Sequence, residues 1–124
     1  MKKKILVIDD EAGLTRMLKR GLEATGKYEV REVNLPAKAL EAAREFKPDL
    51  MFLDVMMPDV DGGSVAAEFA ETNDLKHVPI VFLTAAISQK EAGPTGTSIG
   101  THTYLSKPVD LKNLIKCIED HIGS

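Results

Sequence analysis

The chain has a single cysteine, Cys117, so no disulfide framework can form within it, which fits a reducing compartment. It has no apolar stretch approaching the length of a membrane span. No charge of one sign dominates: 16 Lys and Arg stand against 19 Asp and Glu, a net charge of −3. That balance gives no reason to expect direct nucleic-acid binding. Internal repeats, low-complexity segments and linkers are absent too. The run Lys2-Lys3-Lys4 is followed by an apolar stretch that stops at Asp9-Asp10, too short for the apolar core of an export signal. These absences point to a cytoplasmic, globular chain without a membrane anchor. Its 124 residues suit one domain with a real core, expected to span residues 1–124.

What is present alternates between apolar runs and amphipathic stretches. Ile5 to Ile8 reads as a buried strand. Leu14, Met17, Leu18, Gly21 and Leu22 then repeat at helical spacing, with Gly26 marking the end. Tyr28 to Val33 alternates as a strand with one wetter face, which predicts a sheet edge. Pro36 suits the first turn of a second helix whose buried stripe is Ala39, Leu40, Ala43 and Phe46. Asp49 to Leu53 is a third strand, and the segment Met57 to Gly63 is rich in turn formers. A third helix places Val65, Ala66, Phe69 and Ala70 inward. Pro79 to Thr84 is apolar throughout, as a central parallel strand should be. Thr103 to Ser106 is a fifth strand, and Leu111, Leu114, Ile115, Ile118 and Ile122 form the stripe of a last helix, with Cys117 at its flank as a bystander.

Five strand–helix units in alternation predict an α/β fold: one five-stranded parallel sheet with five helices on its two faces. The fourth helix is expected to be short or irregular. Ser88 and Glu91 have capping-box spacing, but Pro94 should end a helix there within about two turns, and residues 95–101 read as loop.

Three of the apolar runs end in charge: Asp9-Asp10, Asp54 and, after Ser106, Lys107. In an open parallel sheet the strand carboxyl ends are where ligands bind. Each residue alone has an ordinary reading: Asp10 or Thr84 as a helix cap, Lys107 as a surface lysine before a turn proline. Two adjacent acids plus a third on another strand need more than capping. Converging carboxylates repel one another unless a cation is present, and Mg²⁺ suits carboxylates, waters and a phosphate oxygen. Ala85, small and next to Thr84, leaves room for a phosphoryl group. His77, His102 and His121 show no metal-ligand spacing and read as surface residues.

Taken together, the segments Val7 to Glu11, Leu53 to Gly62, Leu83-Thr84-Ala85 and Tyr104 to Pro108 resemble the response-regulator receiver domains of two-component signalling. The resemblance covers essentially the whole chain. It implies a flavodoxin-like sheet in the order 2-1-3-4-5. It also implies Asp54 as phosphoacceptor from a histidine kinase or histidine phosphotransfer protein, with Mg²⁺ (or Mn²⁺) held by Asp10, Asp54, partly Asp9 through water, and the Met56 backbone carbonyl. Lys107 would pair with Asp54 and then with a phosphoryl oxygen, the Lys107–Pro108 peptide being cis. Thr84 and Tyr104 would form the switch. The implied partner downstream is a protein or an output domain, and the implied state a monomer or a weak phosphorylation-dependent dimer. Met56 and Ala86 offer no group to orient attacking water, so self-dephosphorylation should be slow. Such a domain is a phosphoacceptor that assists its own phosphorylation rather than an enzyme.

The chain departs from the family at Gly100-Thr101-His102-Thr103, where receivers usually carry Gly-Ala-Asp-Asp or similar, and in the glycine- and proline-broken segment before it. The usual output face is therefore not carried over, and a degenerate receiver acting without phosphate is the alternative. Two other readings of the strand-end acids fare worse. A haloacid-dehalogenase-type phosphatase wants a second acid two residues after the nucleophile, where Met56 stands. A flavin binder would not place Asp9-Asp10-Glu11 in its phosphate loop.

Overall fold

The computed structural model describes residues 2–54, 56–57, 60–84, 97–99, 102–106 and 109–122; for 56–57, 60–64, 66, 97–99, 102 and 106 it describes the backbone alone. In chain order the elements are β1 (Lys3–Ile8), α1 (Ala12–Ala24), β2 (Tyr28–Val33), a 3₁₀ turn (Pro36–Lys38) running into α2 (Ala39–Phe46), and β3 (Leu50–Asp54). There follow β4 (Met56–Met57), β5 (Val60–Asp61), α3 (Gly62–Glu71), β6 (Ile80–Thr84), β7 (Thr97–Ile99), β8 (His102–Ser106) and α4 (Leu111–Ile122).

β2, β1, β3, β6 and β8 form a parallel sheet in that order, so the five parallel strands take the order 2-1-3-4-5 of a flavodoxin-like fold. β1 and β3 are buried from Ile5 and Leu50 onward, as strands covered on both faces must be. Side-chain alternation sorts them into two cores. Leu6, Ile8, Met51, Leu53 and Phe82 face α2 and α3, meeting Ala39, Ala43, Phe46, Val65 and Phe69. Ile5, Val7, Phe52, Val81 and Leu83 face α1 and α4, meeting Leu18, Leu22, Leu114, Cys117 and Ile118. Gly21 lies where these last two helices meet: a Cβ there would come within 2.6 Å of a Leu111 δ-carbon.

Several local expectations change. The buried face of α1 is Thr15, Leu18 and Leu22, while Met17 is 52% exposed; Thr15 takes an inner place because its hydroxyl is fully bonded there. On α3, Val65 and Phe69 are buried but Ala70 is exposed. Cys117 is no flanking residue but fully buried between α4 and the sheet, which pushes its thiol pKa up to about 12. Lys3 and Lys4 already belong to β1, the Lys4 ammonium lying 5.6 Å from the centre of the Phe46 ring.

The largest difference is at the far edge of the sheet. Residues 97–99, expected as loop, form β7, which pairs antiparallel with β8: Thr97 with Tyr104, Ser98 with Thr103 and Ile99 with His102. Four α-helices occur among the described residues, and the short helix expected from Ser88 lies outside them. Among the described residues no helix is long and apolar enough to cross a membrane.

Candidate functional site

The register of the central strands brings the acids together. In the β1–β3 ladder Ile5 pairs with Leu50 and Ile8 with Leu53, so one step further along lie Asp9 and Asp54. Neighbouring strands run about 4.8 Å apart, and both residues continue the rows headed by Val7 and Phe52. Asp10 follows Asp9 before α1 begins. One carboxylate oxygen from each of Asp9, Asp10 and Asp54 lies within 4.8 Å of the others. Asp9 and Asp54 are buried, at 0% and 3% exposure, and Asp10 is exposed. Two carboxylates at that separation repel by about 3.5 kcal/mol at an effective dielectric near 20 and by about 1 kcal/mol in bulk water. Three hard oxygen donors at one strand-end cleft, two of them desolvated, form a donor set that fits Mg²⁺ or Mn²⁺.

A polar network behind the cleft holds Asp9 in place, and sequence reading passed over its members. One Asp9 carboxylate oxygen accepts the backbone N–H of Glu11 at 2.9 Å, which turns the chain into α1. The Asn34 amide donates to the Asp9 carbonyl at 2.8 Å and to the Thr15 hydroxyl at 2.9 Å. The Thr15 hydroxyl is also 2.8 Å from Glu32, whose other oxygen is 3.8 Å from Arg16. Thr15 is fully buried. It shares helical spacing with Leu18 and Leu22, and a hydroxyl on that stripe was the available signal. Asn34 carried none, because its partners are 19 and 25 residues away in sequence.

Thr84 ends β6, 3% exposed, one residue beyond the Asp54–Leu83 pair. Alternation puts Thr84 on the face of Phe82, and the Tyr104 ring of β8 stacks on Phe82 with centroids 5.1 Å apart and planes 24° from parallel. Thr84 and the partly buried Tyr104 therefore share one face at the same end of the sheet. Met56 lies in β4, two residues after Asp54, with its backbone paired to Asp61. Ala85, Lys107 and Pro108 lie outside the described residues, as does Ala86. His77 and His121 are exposed; His121 bridges α4 to β8, 2.8 Å from the Cys117 carbonyl and 3.1 Å from the Thr103 hydroxyl.

Comparison with known families decides what this arrangement belongs to: the model of the response regulator receiver domain matches residues 5–119. The chain belongs to the response-regulator receiver family. The polar-differentiation response regulator DivK of Brucella anthropi is 28% identical over 123 residues, covering 99% of this chain and 98% of DivK. Among solved structures, the Vibrio cholerae chemotaxis protein CheY4 superposes with a TM-score of 0.81 at 26% identity, covering 97% of this chain and 98% of CheY4. The N-terminal domain of a response regulator receiver protein from Methanoculleus marisnigri is 29% identical, with a TM-score of 0.68 and coverage of 98% and 97%.

Receiver domains are signalling switches of two-component systems, generally not enzymes in the usual sense, and their partners are kinases or phosphotransfer proteins. They bind Mg²⁺ at an acidic pocket, and the Asp9, Asp10 and Asp54 cluster is the acidic group in this receiver.

Proposed function

We propose that residues 1–124 form one receiver domain working as a cytoplasmic phosphoacceptor switch, with Asp54 taking a phosphoryl group from a histidine kinase or histidine phosphotransfer protein. The observation that carries this reading is the meeting of Asp9, Asp10 and Asp54, from two strand ends, within 4.8 Å. In the transfer, an Asp54 carboxylate oxygen forms a bond to phosphorus while the phosphorus–nitrogen bond of the donor phosphohistidine breaks. The departing imidazole nitrogen takes up a proton from solvent. Such a transfer between two good leaving groups asks the protein mainly for alignment and neutralisation of charge. A divalent cation, when bound, supplies positive charge against the carboxylates and the phosphoryl oxygens. Asp10 and Asp54 would hold it directly, Asp9 partly through water, and the Met56 carbonyl would complete the protein ligands. Lys107 supplies the second positive charge.

The acyl phosphate adds up to about two negative charges and three strong acceptors at the strand ends. The Thr84 hydroxyl donates to one of them and moves toward it. The space it leaves is filled by Tyr104, which leaves its stack on Phe82 and turns inward. That two-state element, biased by one local event, controls a downstream protein or output domain. No contact with nucleic acid or membrane is part of this role.

Intact mass after incubation with a small-molecule phosphodonor and Mg²⁺ tests it. One added phosphate, lost with a chelator and in Asp54→Ala, is the expected result. No adduct while Mg²⁺ still binds would overturn it in favour of a receiver that signals without phosphate. A persistent adduct is expected, since Met56 and Ala86 orient no water; a half-life of seconds would contradict that part.

A further inference from the structure

Asp9 and Asp10 share one peptide unit, and the carbonyl of that unit is held by a chain of side chains that ends near the protein surface. The backbone sets this chain up. The Asp9 N–H donates to the Val33 carbonyl at 3.0 Å, continuing the β1–β2 ladder, so Asn34 arrives directly beside Asp9. The Asn34 amide nitrogen carries two protons and directs one to the Asp9 carbonyl at 2.8 Å and one to the Thr15 hydroxyl oxygen at 2.9 Å. The Thr15 hydroxyl has a single proton. Two acceptors face it, the Glu32 carboxylate at 2.8 Å and the Ala12 carbonyl at 3.1 Å, and the shorter, charged one takes it. Thr15 is fully buried, while Glu32 keeps 19% of its side chain exposed.

The donors in this chain therefore run one way. A carboxylate only accepts, so Thr15 turns its proton to Glu32 and offers Asn34 nothing but lone pairs. An asparagine amide in an undirected site can turn over and exchange its oxygen for its nitrogen. Turned over here, it would set its oxygen against two acceptors, the Asp9 carbonyl and the Thr15 oxygen. Without the Glu32 carboxylate the Thr15 proton becomes free to meet that oxygen, and one of the two conflicts disappears. The direction of the bond to Asp9 is thus set by a carboxylate two hydrogen bonds removed from it. Arg16 lies 3.8 Å from Glu32 with 66% of its side chain exposed, so it adds little.

We propose that Thr15 and Glu32 are positioning residues for the cation site. Through Asn34 they fix the plane of the Asp9–Asp10 peptide, and with it the aim of both carboxylates, and so they set the affinity for Mg²⁺. This rests on the reading of Asp9, Asp10 and Asp54 as ligands of a divalent cation. Groups that orient metal ligands from outside are worth about 10–100-fold in metal affinity. Mg²⁺ makes the demand sharp, because it accepts only near-octahedral geometry. The plainer role for the same bonds is a staple of α1 to β2, and a staple would show in stability alone.

Titration of the full, metal-free chain with Mg²⁺ alone, followed by amide chemical shifts, reads the dissociation constant without any phosphodonor. Thr15→Val keeps shape and charge and removes the hydroxyl. It should raise the dissociation constant about tenfold, the low end of that range because the hydroxyl acts through Asn34. Thr15→Ser restores the hydroxyl and should bind within about twofold of the parent. In an Asn34→Ala background Thr15→Val should add less than about twofold, since the chain is already cut. Should Thr15→Val not fold, Glu32→Gln carries the test, because its amide can donate to Thr15 and undo the direction of the chain. Its affinity should fall at least about threefold, and the loss should persist at about 0.5 M KCl, where a missing charge acting at a distance is screened. Parent-like affinity in Thr15→Val or Glu32→Gln, no rescue by Thr15→Ser, or an equal loss with and without Asn34 would each overturn the proposal. A parent that binds no Mg²⁺ would instead overturn the cation reading beneath it.

Discussion

Removing one charge from the acid cluster should stabilise the metal-free protein, against the usual result that mutation destabilises. Asp10→Asn is the informative choice, since Asp10 is the exposed member and its side chain can change with least disturbance to packing. Its carboxylate has an oxygen within 4.8 Å of the chosen oxygens of Asp9 and Asp54. Each of those two repulsions lies between about 1 kcal/mol, as in water, and about 3.5 kcal/mol, as near a protein surface. Exposure and salt move the values toward the lower figure, so a total gain of about 1–3 kcal/mol is expected. At about 2.1 cal/mol/K of unfolding entropy per residue, 124 residues convert each kcal/mol into about 4 °C. Thermal melts in EDTA should therefore place Asp10→Asn roughly 4–12 °C above the parent. A Mg²⁺ titration should reverse the order, because ligand stabilisation grows with concentration over the dissociation constant and the variant offers the cation a neutral amide oxygen in place of a carboxylate. A variant that melts lower in EDTA, or gains as much from Mg²⁺ as the parent, would refute the reasoning.

Further outcomes follow from the same geometry. Asn34→Ala strips a bond from the Asp9 carbonyl and one from Thr15, so it should cost about 1–3 kcal/mol and weaken the Mg²⁺-dependent rise in melting temperature; an unchanged Mg²⁺ response would leave Asn34 purely structural. Tyr28 is 1% exposed and its hydroxyl has no hydrogen-bond partner among the described residues, so Tyr28→Phe should stabilise by about 1 kcal/mol in urea unfolding. Burial holds the neutral Cys117 thiol to about 12, against an ordinary value near 9.0, so the native state keeps a proton that the unfolded chain releases between those values. Stability should then be intact below about pH 9 and fall by up to about 1.4 kcal/mol per pH unit above it. Cys117→Ala should flatten that fall in urea titrations at pH 8–11, and parallel curves would show the thiol contributes nothing to it.

The parallel sheet and its acidic strand ends were legible because both rest on local patterns: apolar runs of strand length, helical periodicities between them, and acids at the point where each run stops; the strand order came only with the family resemblance. The less legible features depend on pairings distant in sequence. Thr15 looks like an ordinary helix residue until Glu32 and Asn34 arrive beside it from β2 and the turn that follows. Met17 fits the apolar spacing of α1 and still lies outside, because the sheet needs only the width covered by Thr15, Leu18 and Leu22. Residues 97–99 contain no strand signal beyond Thr97 and Ile99 and follow Gly93, Pro94 and Gly96; what makes them a strand is the pairing with β8.

The sequence by itself determined which residues could carry chemistry, since an apolar run that ends in Asp9-Asp10 or Asp54 sets charges at the strand ends that hydrogen bonds, water or a cation must satisfy. It also determined the sorting of side chains between two cores, which follows from a period of two in strands and 3.6 in helices. Only the tertiary structure decided the register that puts Asp54 one step beyond Ile8 and beside Asp9, the polar support of that peptide by Asn34, and the identity of the sheet's second edge. Those are long-range choices: their free energy is gained when distant strands pair, and no window of neighbouring residues contains both partners.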